Sequence, residues 1–254
     1  MLGGKVKKLL AILVMVIGIV LSIPDKTFAA CDLELSTAAT DRYQCDDGDT
    51  MTITSDGSIE RLWYDIDPGH ESDGGTATTG VTINNAGTIY ARESSESETG
   101  KYAVFFDGST NGTLINSGTI SADTQRAVSA GPVNSTINFT LTNSGTIQAS
   151  CWAAPDKLAG NSQVCTSGRG AQAIHVKGSG ATITNETDGI IKADDNIIVF
   201  SASDSTLTNR GQIISDDTSG NDEEYAIRVY TGAKRSNIHN YGTITTGYKT
   251  ILID

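Results

Sequence analysis

A seven-residue phrase, aliphatic-x-Asn-x-Gly-x-Ile, returns along this chain and constrains its fold more than any other feature. It runs from Ile83 to Ile89, Leu114 to Ile120, Leu141 to Ile147, Leu207 to Ile213 and Ile238 to Ile244. A further copy, Ile183 to Ile191, carries two extra residues between Asn185 and Gly189. A second phrase, a small residue followed by alternating apolar positions, is interleaved with it. Examples are Ala103-Val104-Phe105-Phe106, Ala127-Val128, Ala173-Ile174-His175-Val176 and Ala226-Ile227-Arg228-Val229, with Ile197 to Phe200 and Thr250 to Ile253 in the same phase. Period-two alternation rich in Thr, Val and Ile is the pattern of short strands.

The repeat length varies, but in one place. The asparagines stand at 85, 116, 143, 185, 209 and 240, and most of the variation falls between the Ile of the first phrase and the start of the second. A stacked solenoid predicts this, because insertions leave from one corner while the turns beneath keep register. The chain is therefore expected to be all-β, a right-handed parallel β-helix over 81–254 of about six coils. The repeat Ile and Leu should point inward and stack on their counterparts. The turn residues are Asn85 and Gly87, Asn116 and Gly118, Asn143 and Gly145, Asn185 and Gly189, Asn209 and Gly211, and Asn240 and Gly242. Asn is expected to tolerate a left-handed backbone and to stack as an amide ladder, and Gly to supply a second unusual dihedral.

This pattern resembles the β-helical passenger domains of bacterial autotransporters (type V secretion), on the Ile-x-Asn-x-Gly-x-Ile coils over about 81–254. The resemblance implies an exported, surface-displayed protein and a translocator barrel. It leaves the activity open, since passengers include adhesins, proteases and toxins. No barrel follows Asp254, where the chain stops within a coil, so the expectation is an incomplete last coil, either of a truncated or fragmentary reading frame or of a passenger separated from its translocator.

The N-terminus agrees with export. Lys5, Lys7 and Lys8 precede an apolar run from Leu9 to Ile23, then Pro24 and small residues to Ala30. That run is short for a bilayer span and reads as a signal peptide, residues 1–29. Phe28-Ala29-Ala30-Cys31 has the outline of a lipobox, but the cysteines argue for disulfides. Cys31 and Cys45, and Cys151 and Cys165, are equally spaced pairs, as expected of two local bridges in an exported chain. Residues 30–80, with strand-like stretches at Asp49 to Thr54 and Ile59 to Trp63, are expected to cap the first coil.

Removing 1–29 takes away four of the 18 basic and one of the 30 acidic residues, leaving a formal net charge of −15. Such a surface disfavours nucleic acid, and no basic patch interleaved with aromatics stands out in the sequence. Catalytic signatures such as G-x-S-x-G and H-E-x-x-H are absent. The three histidines, His70, His175 and His239, lie in unrelated phases, and the last two alternate with apolar neighbours as outward strand residues. Asp194-Asp195 and Asp216-Asp217 follow repeat isoleucines on adjacent coils, with Asp123 in the same phase as Asp194. Stacked carboxylates suit Ca²⁺, although a polar turn accounts for them as well and is preferred. No other cofactor is implied.

Function then rests on surface display. The expected role is an adhesin-like scaffold that is not an enzyme and binds a protein or glycan through the insertion corner. The insertions are Arg92 to Lys101, Ser150 to Gln172 and Ser215 to Tyr225, the largest carrying Trp152 and both later cysteines. The alternative is a β-helical polysaccharide lyase or glycoside hydrolase. It is disfavoured because the only basic residues near the aspartates are Lys192 and Arg210, and no aromatic lies in phase with them.

Overall fold

The structure, a computed structural model, describes residues 29–41, 43–61, 66–67, 77–91, 102–106, 108–123, 126–131, 137–150, 171–215, 225–247 and 249–254. After a short β1 (Ala29–Ala30), three strands recur per turn. The first two turns are β2 (Leu33–Leu35), β3 (Ala38–Ala39), β4 (Tyr43–Gln44), then β5 (Thr50–Ile53), β6 (Ser58–Arg61), β7 (Ile66–Asp67). The third and fourth are β8 (Thr82–Asn85), β9 (Thr88–Ala91), β10 (Tyr102–Phe106), then β11 (Thr113–Asn116), β12 (Thr119–Ala122), β13 (Arg126–Ala130). The fifth and sixth are β14 (Thr140–Asn143), β15 (Thr146–Ala149), β16 (Gln172–Val176), then β17 (Thr182–Asn185), β18 (Ile190–Ala193), β19 (Ile198–Phe200). The last two are β20 (Thr206–Asn209), β21 (Gln212–Ser215), β22 (Tyr225–Val229), then β23 (Asn237–Asn240), β24 (Thr243–Thr245), β25 (Lys249–Ile253).

Like strands of successive turns pair in parallel. They form an eight-stranded first sheet from β2 to β23, an eight-stranded second sheet from β3 to β24, and a nine-stranded third sheet from β1 to β25. The fold is thus a parallel β-helix of eight turns among the described residues. Residues 30–80 do not form a separate cap, since β2 to β7 extend the same three sheets and β5 pairs with β8 in register. Their turns lack the Asn phrase because Leu35 and Ile53 hold the position that Asn85 opens.

Inward side chains stack by type. Met51, Ile83, Leu114, Leu141, Ile183 and Leu207 line the first sheet with no exposure, and Ile59, Ile89, Ile120, Ile147, Ile191 and Ile213 do the same on the second. Each such side chain removed from water contributes about 1.5–3 kcal/mol. Alanines, including Ala122 and Ala149 on one side and Ala127 and Ala173 on the other, flank the corner between second and third sheets. Small residues there let two walls meet, which accounts for the small first position of the second phrase.

The Asn-Gly corner works differently from the expectation. None of the six asparagines or their glycines has a positive φ. Each asparagine ends a first-sheet strand, and the buried amides of the first five each bond the next. Asn85 Nδ2 donates to Asn116 Oδ1 at 2.7 Å, Asn116 to Asn143 at 2.7 Å, Asn143 to Asn185 at 2.8 Å, Asn185 to Asn209 at 2.8 Å and Asn209 to Asn240 at 2.7 Å. The glycines are required by crowding, because a Cβ at Gly118 or Gly145 would strike the carbonyl of the equivalent glycine one turn before. Left-handed residues occupy the opposite corner, where Gly48, Gly80, Asn111, Asn138, Gly180, Asp204 and Arg235 each precede a first-sheet strand.

The Cys31–Cys45 bridge, with Cα atoms 4.6 Å apart, joins stacked positions, since β1 and β4 pair in the register Ala30 to Gln44. It closes one whole turn, and Cys31 is engaged as a disulfide and not as a lipid attachment. Residues 1–28 and the pair Cys151 and Cys165 lie outside the described residues.

Candidate functional site

Chemistry-bearing side chains collect on the outer wall of the third sheet. Strand register places Tyr102, Arg126 and Gln172 in one column on successive turns, with Tyr225 and Lys249 in register further along. A second column contains Phe105, Ser129, His175, Val199, Arg228 and Leu252. Tyr102 and Phe105 share a face, their rings stacked with centroids 4.4 Å apart. Three residues apart on a regular strand they would oppose one another, so the strand bends between them.

The wall is cationic and aromatic within an acidic chain. Arg126 donates from Nη1 to Tyr102 OH at 2.8 Å and from Nε to Gln172 Oε1 at 3.0 Å. Lys177 Nζ reaches back two turns, lying 5.2 Å from the Phe105 ring centroid and 5.8 Å from that of Tyr102. Further along, the Arg228 guanidinium sits 4.4 Å from the Tyr230 centroid and 5.8 Å from that of Tyr225, with Lys249 Nζ 5.3 Å from Tyr225. Each contact of this kind is worth about 0.5–2 kcal/mol and holds a cation in place without neutralising it. Asp254, 3.6 Å from Arg228, supplies one counter-charge.

Four polar atoms associated with this wall are buried without a hydrogen-bond partner: Ser129 Oγ, His175 Nδ1, Asn196 Oδ1 and Arg228 Nε. Buried polar groups are nearly always paired, so such a cluster marks unspent bonding capacity. His175 Nε2 lies 2.8 Å from Ser201 Oγ. Burial, and then the Arg126 and Lys177 charges, lower its pKa from 6.5 to about 3, so the imidazole is neutral. As pH falls below 6.5 the unfolded chain takes up this proton and the folded chain does not until about 3. Stability therefore falls as pH drops through that window, with a slope of at most about 1.4 kcal/mol per unit. His175→Gln should flatten this acid limb. Between pH 7 and pH 4 the wild type should lose on the order of 1–3 kcal/mol more than the variant, read from urea midpoints.

The aspartates expected near the insertion corner are held by protein donors where they are described. Asp123, buried, accepts from Tyr90 OH at 2.8 Å, and Asp194 accepts from Ser150 Oγ at 3.3 Å and the Ala171 amide at 3.2 Å. Burial raises the pKa of Asp195, opposed by hydrogen bonds from Asn196, whose Nδ2 lies 2.6 Å away, and from Gln172. Asp216, Asp217 and Trp152 lie outside the described residues, and among the described residues no three His, Cys, Asp or Glu side chains group to hold a metal. His239 is exposed on the first sheet, in register with Thr208.

The cations and rings of this wall lie away from the paired aspartates in the sequence, so spacing around those pairs does not reveal them. The signal was present in the second phrase. Aligning Ala103, Ala127, Ala173 and Ala226 puts Phe105, Ser129, His175 and Arg228 in one file and Tyr102, Arg126, Gln172 and Tyr225 in another.

The eight turns among the described residues define the fold as a parallel β-helix, and the family match makes the class a bacterial surface β-helical domain of pectate lyase-like architecture. The family model for the BigA third pectate lyase-like domain matches residues 42–250, and the chain belongs to that family. The match includes most of the segment expected as a cap, in keeping with its coiled structure. No curated protein and no solved structure matches the chain.

Proposed function

We propose that this domain is an adhesin-like binding scaffold of an exported bacterial surface protein, and that it contacts a glycan or protein through the third-sheet wall and the insertion corner beside it. The observation that carries this reading is the group of part-exposed Arg126, Gln172, Lys177 and Arg228 gathered with aromatic rings on one wall, on a chain whose net charge is −12. A rigid wall with oriented donors and cations loses little entropy on binding and favours a ligand bearing acceptors or negative charge. The insertions attach at the corner where this wall begins, after β9, β15 and β21. Export by residues 1–29 and passage through a separate translocator complete the proposal.

The purified chain should bind a subset of glycan- and matrix-array spots. Combining Arg126→Ala with Lys177→Ala should weaken that binding at least about tenfold, as expected for two contacts of about 1 kcal/mol or more each. Deleting Ala153 to Gln163 tests the loop contribution separately. Binding untouched by both changes would remove the wall and the corner from consideration.

A second reading, cleavage of an acidic polysaccharide, draws on the family's description and on the neutral His175 beside Arg126, a base next to a cation. New reducing or unsaturated chain ends after incubation with polyuronate would favour it. Saturable binding without new ends would favour the scaffold.

A further inference from the structure

We infer that the outer face of the first sheet is a self-association surface on which two copies of this chain pack face to face. From the second turn to the eighth this face presents two outward residues per turn and no Asp, Glu, Lys or Arg. One column runs Thr50, Thr82, Thr113, Thr140, Thr182, Thr206, and the other includes Thr52, Thr142, Thr184 and Thr208. These positions are exposed or half-buried, and Ile115, in the fourth turn, keeps 45% of its surface in contact with solvent. Nothing in the described chain covers the face.

Three considerations select a second copy as the occupant. The chain is strongly acidic, so two copies repel one another over most orientations. A face seven turns long without a single charge is a side on which they meet without that cost. Its rungs repeat about every 4.8 Å over roughly 29 Å, and only a surface of the same period can match every rung. An identical face supplies that period automatically, in the two-fold, self-complementary arrangement that homodimers favour. Ile115 lies near the middle of the array, so the two-fold brings the two isoleucines close to its axis, where an apolar anchor contributes most.

With 14 outward side chains per copy the contact is smaller than a standard interface of about 20–30 residues a side. The pairing is therefore weak for isolated molecules and gains by avidity when many copies share a surface. This inference concerns a different wall from the ligand site and stands or falls apart from it.

Sedimentation velocity on the exported chain over a concentration series tests it. The wild type should pass from monomer to dimer with rising concentration. Thr142→Lys and Thr142→Glu should each move the midpoint up by at least about tenfold, a change of 1.4 kcal/mol. An equimolar mixture of the two variants should recover association, while the Arg126→Ala, Lys177→Ala variant should dimerise as the wild type does. Unchanged circular dichroism spectra and melting curves confirm that the variants fold. A wild type that stays monomeric throughout, variants that associate as the wild type does, or a mixture that fails to recover overturns the inference. So does a monomer that instead pellets with particles of an insoluble neutral glucan, which would identify the face as a glycan platform.

Discussion

Alanine at Gly145 should destabilise the β-helix by roughly 3–5 kcal/mol, an effect near the upper end for a single methyl group. The added Cβ would run into the Gly118 carbonyl oxygen and lie 2.6 Å from the Ser117 carbonyl carbon. Both are backbone atoms of a paired turn, so no side chain can swing aside. The same substitution at Gly80 provides the control. There φ is +73° and the nearest atom to a new Cβ is 4.0 Å away, leaving only the left-handed backbone penalty of about 1 kcal/mol. Urea denaturation of the two variants should show the larger loss at the position with an ordinary φ, the reverse of what a glycine's dihedral freedom alone would give.

The second large effect is expected at Asn143. Its amide nitrogen donates to Asn185 Oδ1, to Gly145 O at 3.1 Å and to Ile190 O at 3.3 Å, while its oxygen accepts from Asn116. Asn143→Ala removes all four bonds in a position with no solvent exposure, which should cost about 2–4 kcal/mol. Asn143→Asp is expected to be worse, because it faces a buried carboxylate with three acceptors that lose their donor. At the exposed Asn240 the alanine substitution should cost less than about 1 kcal/mol, since water replaces what is lost. Denaturant midpoints for the three variants check the order, with Asn143→Asp the least stable, Asn143→Ala between, and Asn240→Ala the most stable.

The repeat made the architecture legible because each copy of Leu-x-Asn-x-Gly-x-Ile places one inward aliphatic on each side of one short corner. Asn116 and Asn143 fall in register as their shared phase required. Turns one and two were not legible as turns, because Leu35 and Ile53 carry apolar contacts where later turns carry an amide. The conformational role of the corner departs from the expectation for a related reason. A sequence shows that Gly is needed, but the competing causes, positive φ and close approach of a neighbouring turn, separate only once the turns are stacked. The third-sheet wall was harder still. Arg126 and Lys177 are 51 residues apart in the chain yet share the rings of Tyr102, through an intervening corner whose length changes at every turn. Local spacing carries no trace of that meeting, whereas counting from each small residue of the second phrase does.

The asparagine file also has a direction. Every rung but the last hands its proton donor to the turn that follows, so the side-chain dipoles add along the axis instead of cancelling, and each bond polarises the next. At the upstream end Asn85 Oδ1 is buried with no donor, because Ile53 lies over it. At the downstream end Asn240 Nδ2 bonds only its own corner, at Gly242 O 3.2 Å away. The two ends are therefore electrically unlike, a bare acceptor at one and a free donor at the other. A chain that winds in this way stacks like batteries in series: a turn laid on the downstream end completes the circuit if it offers an amide oxygen, and the same turn inverted does not.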